Sequence, residues 1–296
     1  MLAYLEEVKS ATPFDEVSRC SIPQLEEGGV NTQICAVFTE TVKGSSQCAE
    51  KQIDAFSELP PAVVRFAIAI ENASALLEEE ESFSLLIERL DIMPKPVYIS
   101  LTWNDENRFG GGNKTDVGLK KDGKLLLDLM DKSSISLDLS HTSDALAHEA
   151  LNYIDSNSLE IPVIASHSNS RKVHDVKRNL PDELIQEIIR RKGLIGLNGI
   201  THFLGGSPEA IVQHIEHIVS LGGEEIIGCG ADFFGGITLN NMNFTGPYFF
   251  DEFKNASLYQ DRLQIVEKAF GSEITEKLAC KNAQTFFKRL DCQEIM

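Results

Sequence analysis

Ser136-Leu-Asp-Leu-Ser-His141 and Pro162-Val-Ile-Ala-Ser-His167 are two short apolar runs that each close on Ser-His, the second histidine 26 positions after the first. Each reads as a buried strand. Their separation is that of one strand–helix–strand unit, which puts them on neighbouring parallel strands. A histidine at the last position of a buried strand points out of the sheet end, where a cleft can form, so two such rings converge on one point. Either histidine alone reads as a buried ring satisfied by backbone. The matched pair reads as metal-ligand geometry, because neutral imidazole is the commonest protein ligand for zinc and similar ions.

The same alternation fills the chain on either side of these runs. Apolar runs at 32–39, 64–70 (ending at Glu71), 96–101, from 135, from 162, 194–200 and 225–229 (running on to Asp232) read as seven strands. Amphipathic stretches at 47–59, up to 90, 119–130, after His141, from 182 and at 208–221 read as the helices between them. The acidic run Glu78 to Glu81 reads as a solvated helix start with carboxylates where the dipole favours them. The stretch from Lys277 to Leu290 reads as a helix packed on the outside. Alternating parallel strands and helices point to a wound sheet or a closed (β/α) barrel, in one domain spanning 1–296. A closed barrel of this type needs eight strands.

Length suits that architecture: 296 residues, 42% hydrophobic and 24% charged, make an ordinary globular chain, and such barrels run to roughly 250 residues. A net charge of −18 argues against nucleic acid or an anionic membrane as partner. No apolar run approaches the ~20 residues of a membrane span, and Glu6-Glu7 cuts short the opening Met1 to Leu5, so no signal peptide is read. Six cysteines (20, 35, 48, 229, 280, 292) lie scattered without a CxxC, with Cys35 and Cys229 inside strands as small hydrophobes. A reduced, cytoplasmic compartment is expected.

In (β/α) barrels the reacting groups come from strand C-termini on one face. Glu71, His141, His167 and Asp232 occupy that position here. A Glu with two His is a common three-ligand set that leaves one position for water, whose pKa the metal lowers towards ~7. Asp232 would then orient or deprotonate that water and return the proton to a leaving group. Arg178, in the loop 177–182 on the same face, offers a planar fork for a carboxylate, or else an ordinary salt bridge. The glycine-rich segment 103–112 lacks the Gly-Lys-Ser/Thr ending of a P-loop and reads as a plain loop. His214 and His217 read as packing or surface residues of their helix, and His148, His174 and His202 receive no role.

These residues resemble a known family, the renal-type or membrane dipeptidases (peptidase family M19), metal-dependent hydrolases with an amidohydrolase-like barrel. The family's Asp-Leu-Ser-His is similar to Asp138 to His141, its Pro-Val-Ile-x-Ser-His-Ser to Pro162 to Ser168, its Arg-Asn-Leu-Pro-Asp to Arg178 to Asp182, and its Gly-x-Gly-x-Asp-Phe-Asp-Gly to Gly228 to Gly235. The resemblance implies a TIM-like (β/α)8 barrel in which Glu71 bridges two metals, usually zinc, with His141 and His167 completing the second metal's shell. It implies that Arg178 binds a dipeptide's terminal carboxylate and that Asp232 transfers protons. The implied reaction is hydrolysis of a small dipeptide's amide bond by metal-activated water, with the C-terminal residue accepted in L or D form. A homodimer is possible, as in relatives.

Three departures stand out. Where animal members carry a His that polarises the scissile carbonyl, this chain reads Leu101-Thr-Trp-Asn104, similar to bacterial members, which makes Trp103 and Asn104 substrate-binding candidates. Phe234 replaces the second Asp of the Asp-Phe-Asp-Gly signature. Family members also open with a strand ending in His-x-Asp that binds the first metal, whereas no His precedes His141. Met1 to Leu5 resembles the helix after that motif, so the first barrel strand reads as missing and at most one zinc is expected. Three readings stay open: a dipeptidase whose recorded start is an internal Met, a shortened relative that is non-catalytic or weakly active with a binding or structural role, and an amidohydrolase acting on another small amide.

Overall fold

A computed structural model describes residues 1–237 and 246–290; Cys292 lies outside them. Its centre is one parallel sheet of seven strands in the order β1-β2-β3-β4-β5-β6-β7. These are β1 Thr32–Phe38, β2 Arg65–Glu71, β3 Tyr98–Ser100, β4 Ser136–Asp138, β5 Val163–Ala165, β6 Leu194–Leu197 and β7 Ile227–Cys229. Every strand pairs in parallel with its sequence neighbour, from Phe38 opposite Glu71 to Leu197 opposite Cys229. A helix-bearing crossover between parallel neighbours wraps the sheet one way, so the result is a curled half-barrel of the TIM type. No β1–β7 pairing closes it among the described residues.

All seven strands lie where the sequence puts them, and their two faces divide as strand periodicity requires. On β2, Ile68 and Ile70 turn outward into the large apolar cluster shared with the surrounding helices, alongside Cys35 and Val37 of β1 and Leu137 of β4. That layer includes Leu126 and Leu127 of the helix Lys121–Ser133 and Leu184, Ile185 and Ile188 of the helix Asp182–Arg190. Fully burying each such side chain contributes ~1.5–3 kcal/mol. The opposite face of β2 carries Ala67, Ala69 and, at its end, Glu71.

The inner face is where the sequence reading needs correcting. The C-terminal helix Asn282–Arg289 does not simply ride on the outside: buried Phe286 and Phe287 pack against Ala67, Ala69, Tyr98 and Ile164 on that face. Alanines on β2 leave the room that two phenylalanines occupy. The acidic run is solvated only at its middle, where Glu79 and Glu80 are exposed, and engaged at its two ends. Glu78 Oε1 accepts from the backbone amides of Gly44 (3.0 Å) and Ser46 (3.2 Å) at the start of the helix Ser45–Ser57, a distant capping carboxylate. Glu81 forms a two-point pair with Arg89 at 2.5 and 2.7 Å.

Near the site the last strands come unusually close. A Cβ on Gly196 would lie 2.0 Å, and one on Gly230 2.1 Å, from the Ser166 carbonyl oxygen, so only glycine fits at either place. Cys35 is buried in the core as expected, whereas Cys229 is exposed, and both line the cavity. None of the described helices is long and apolar enough to cross a membrane.

Candidate metal site

Glu71 is the last residue of β2 and needs no further device to reach the rim. His141 and His167 sit beyond the ends of β4 and β5, not on them. The chain turns at His141 through φ 69°, a left-handed conformation that also occurs at Asn104 (φ 51°) and Asp232 (φ 62°). Non-glycine residues held there cost of order 1–3 kcal/mol each and persist where surrounding contacts fix them. Three of the candidate site residues carry that strain.

The three expected ligands come together. The Nε2 atoms of His141 and His167 lie 2.9 Å apart, and Glu71 Oε1 lies 3.1 Å from the first and 3.7 Å from the second. One ligand atom from each of these buried residues falls within 4.8 Å of the others, which makes this the one such group found among the described residues. A tetrahedral shell with ligands at about 2.1 Å spaces its ligand atoms by roughly 3.4 Å, a value the three separations bracket.

Hydrogen bonding behind the rings decides what they present. Asn104 Oδ1 lies 3.0 Å from His141 Nδ1, and Ser166 Oγ lies 2.6 Å from His167 Nδ1. Where Nδ1–H donates backwards, each Nε2 turns a lone pair towards the other and towards the Glu71 carboxylate. Three electron-rich atoms at these distances repel unless a cation or a proton lies between them. The donor set of one carboxylate and two imidazoles therefore fits a divalent metal.

Burial shapes the electrostatics. It pushes Glu71 well above the usual carboxylate range, an effect reinforced by the Asp232 charge and opposed by Arg178. Both rings are held well below the ordinary histidine pKa, first by burial and then by the Arg178 cation. They are neutral and able to ligate. Asp232 is raised to about 6 by burial, against the pull of Arg178 and a 3.1 Å hydrogen bond from Asn198 Nδ2.

Arg178 is 5% exposed, and its fork donates to Ser168 Oγ (2.8 Å) and to the His167 carbonyl (3.0 Å), with Phe203 beneath it at 5.6 Å. It does not line the cavity; its Nε is buried with no hydrogen-bond partner among the described residues. Trp103 does line the cavity, edge-on to Phe38 with ring centroids 4.9 Å apart, and Asn104 lies beside it. Phe234, at the departed signature position, meets Tyr248 edge-on with ring centroids 4.9 Å apart. The cavity, of about 1040 Å³, runs from Glu71, His141, His167 and Asp232 down between β1 and the C-terminal helix.

Sequence reading passed over three residues that touch this group or stand directly behind it. Asp138 and Ser166 stand inside the two quoted motifs but received no role, and Asn198 follows β6 with no motif to mark it. The repeated Ser before His was the available signal for Ser166.

Residues 63–291 match the family described as membrane dipeptidase (peptidase family M19). Two uncharacterized dipeptidases of Schizosaccharomyces pombe are similar in sequence. One is 27% identical over 234 residues, covering 75% of this chain and 53% of its own length; the other is 31% identical over 148 residues, covering 47% and 35%. The chain thus spans about half or less of the curated relatives it matches. Among solved structures, a metallopeptidase from Rhodobacter sphaeroides, liganded with a phosphinate mimic of the dipeptide L-Ala-D-Ala, superposes with a TM-score of 0.78 at 18% identity, covering 98% of this chain and 97% of that one.

Proposed function

The chain belongs to the membrane dipeptidase family, peptidase family M19, and we propose from that premise that it is a zinc-dependent dipeptidase cleaving the amide bond of small dipeptides. The observation that carries the reading is the convergence of Glu71, His141 and His167 within 4.8 Å on a cavity that Asp232 also lines. These three residues would hold the ion. A bound zinc polarises a carbonyl and makes water nucleophilic near neutral pH.

The other roles belong to the chain's own side chains. Asp232, with its pKa near 6, changes protonation within the working range of a hydrolase and would accept the water's proton and pass it to the leaving amine. Arg178 would recognise the terminal carboxylate from just behind the cavity wall: it is a buried cation whose terminal nitrogens donate to Ser168 Oγ and the His167 carbonyl and whose Nε has no hydrogen-bond partner among the described residues. Trp103 and Phe38 would wall the substrate's side chain, and Asn104 would steady His141 beside it. The dipeptide mimic held by the Rhodobacter sphaeroides protein is a ligand of the same size and kind.

One observation favours a second reading. Only a single three-ligand group occurs among the described residues, whereas the family resemblance implies two ions. A weakly active relative that binds dipeptides fits that count. The test is release of free amino acids from a panel of small dipeptides, with zinc and with EDTA. Zinc-dependent turnover supports the dipeptidase; dipeptide binding by calorimetry without turnover supports the second reading; neither, in zinc-loaded protein, sinks both.

A further inference from the structure

We infer that Asp138, acting through Ser166, sets which ring nitrogen of His167 carries the proton, and so points its Nε2 lone pair into the metal site. Asp138 is fully buried at the end of β4, behind the ring and out of reach of any ion in front of it. Its Oδ1 accepts the backbone amides of Ser140 (3.0 Å) and Ser166 (2.8 Å). Its Oδ2 accepts the hydroxyls of Ser100 (2.7 Å) and Ser166 (2.6 Å).

A serine hydroxyl has one proton. Ser166 gives it to the Asp138 carboxylate, the stronger acceptor, and so has only a lone pair left for His167 Nδ1, 2.6 Å away. His167 must then bear its proton on Nδ1. The Ser166 amide bound to the same carboxylate and the Ser140 hydroxyl accepting the His167 amide at 3.1 Å hold the backbone from which the ring projects. Carboxylate, hydroxyl and imidazole form a relay of fixed polarity, with Asp138 as a positioning residue.

The polarity can be inverted almost isosterically. In Asp138→Asn the side-chain carbonyl can keep the two backbone amides, while the amide nitrogen takes the place of Oδ2 and donates to Ser166. Ser166 then donates to His167 Nδ1, and the ring proton moves to Nε2, where it blocks ligation. Ser166→Ala removes the link without reversing it.

The inference rests on the metal reading of the site for its consequence, but its central statement concerns the metal-free protein. The experiment is nitrogen-15 NMR of labelled histidine in the full chain with EDTA, His167 being assigned by loss of its signals in His167→Gln. The wild type should show protonated Nδ1 on His167, Asp138→Asn protonated Nε2, and Ser166→Ala a mixture. Zinc affinity, measured by chelator competition, should fall about 10-fold in Ser166→Ala and up to about 100-fold in Asp138→Asn, with Ser166→Thr restoring most of it. Protonated Nε2 in the wild type overturns the relay, and so does lost affinity with the tautomer unchanged in both variants. A wild type with the expected tautomer and no zinc uptake supports the relay and removes the metal reading instead.

Discussion

The Nε2 atoms of His141 and His167 face each other at 2.9 Å with Glu71 Oε1 3.1 Å from the first, although the rings arrive from different strands and each has its Nδ1 engaged behind it. With each ring's proton on the engaged Nδ1, both Nε2 atoms turn a lone pair into that gap. The chain holds lone pairs together in a buried place, which is costly in the absence of a cation and favourable in its presence.

Glu71→Gln should abolish tight zinc binding while stabilising the metal-free protein. Burial and the Asp232 charge hold the Glu71 pKa high, so ionising it in the folded state is penalised as pH rises, and an amide of the same shape escapes that penalty. Wild-type chain should bind one zinc equivalent by titration and the variant none. The midpoint of thermal unfolding in EDTA at neutral pH should rise by ~2–4 °C per kcal/mol recovered. An unchanged or lower midpoint would count against the buried charge.

Arg178→Met should raise KM for free dipeptides far more than for C-terminally amidated ones, because only the former offer a carboxylate to the fork. The same substitution removes the hydrogen bonds to Ser168 Oγ and the His167 carbonyl. Equal losses on both substrates would therefore assign Arg178 to holding His167 rather than to the substrate.

Asp232 gives a pH signature. Its pKa is raised from 3.8 to about 6 in the folded state, so the native protein binds the proton more tightly than the unfolded chain does. Stability from this group is greatest below its unfolded value, falls as pH rises through the interval up to about 6, and then levels off. Denaturant midpoints in EDTA across that interval should decline in the wild type, and Asp232→Asn should remove this part of the decline.

Phe287→Ala should destabilise the fold by about 3–5 kcal/mol, the usual cost of emptying a buried aromatic site. Phe287 and its neighbour Phe286 pack on Ala67, Ala69, Tyr98 and Ile164. Chemical denaturation measures the loss directly; a cost below about 1 kcal/mol would mean the helix is a removable surface element, as its amphipathic sequence first suggests.

By itself the sequence determined the seven strands, their parallel order and the three residues that converge as a candidate metal group. Buried parallel strands are short apolar runs separated by amphipathic helices, a pattern written in consecutive residues, and the residue ending such a run must emerge at the sheet rim. Glu71, at the end of β2, follows that rule directly. Only the tertiary structure decided the rest. His141 and Asp232 lie past the ends of their strands, turned inward by left-handed backbone that no local pattern announces. The cap that Glu78 places on a helix 32 residues earlier, and the seating of Phe286 and Phe287 against the alanines of β2, join segments remote in sequence. The proton positions on the two rings depend on Asn104 and on Asp138 through Ser166, contacts across strands 37 and 28 residues apart. Such hydrogen bonds are fixed by the spacing of folded strands, and so the chemistry of each histidine was settled by groups its own segment does not contain.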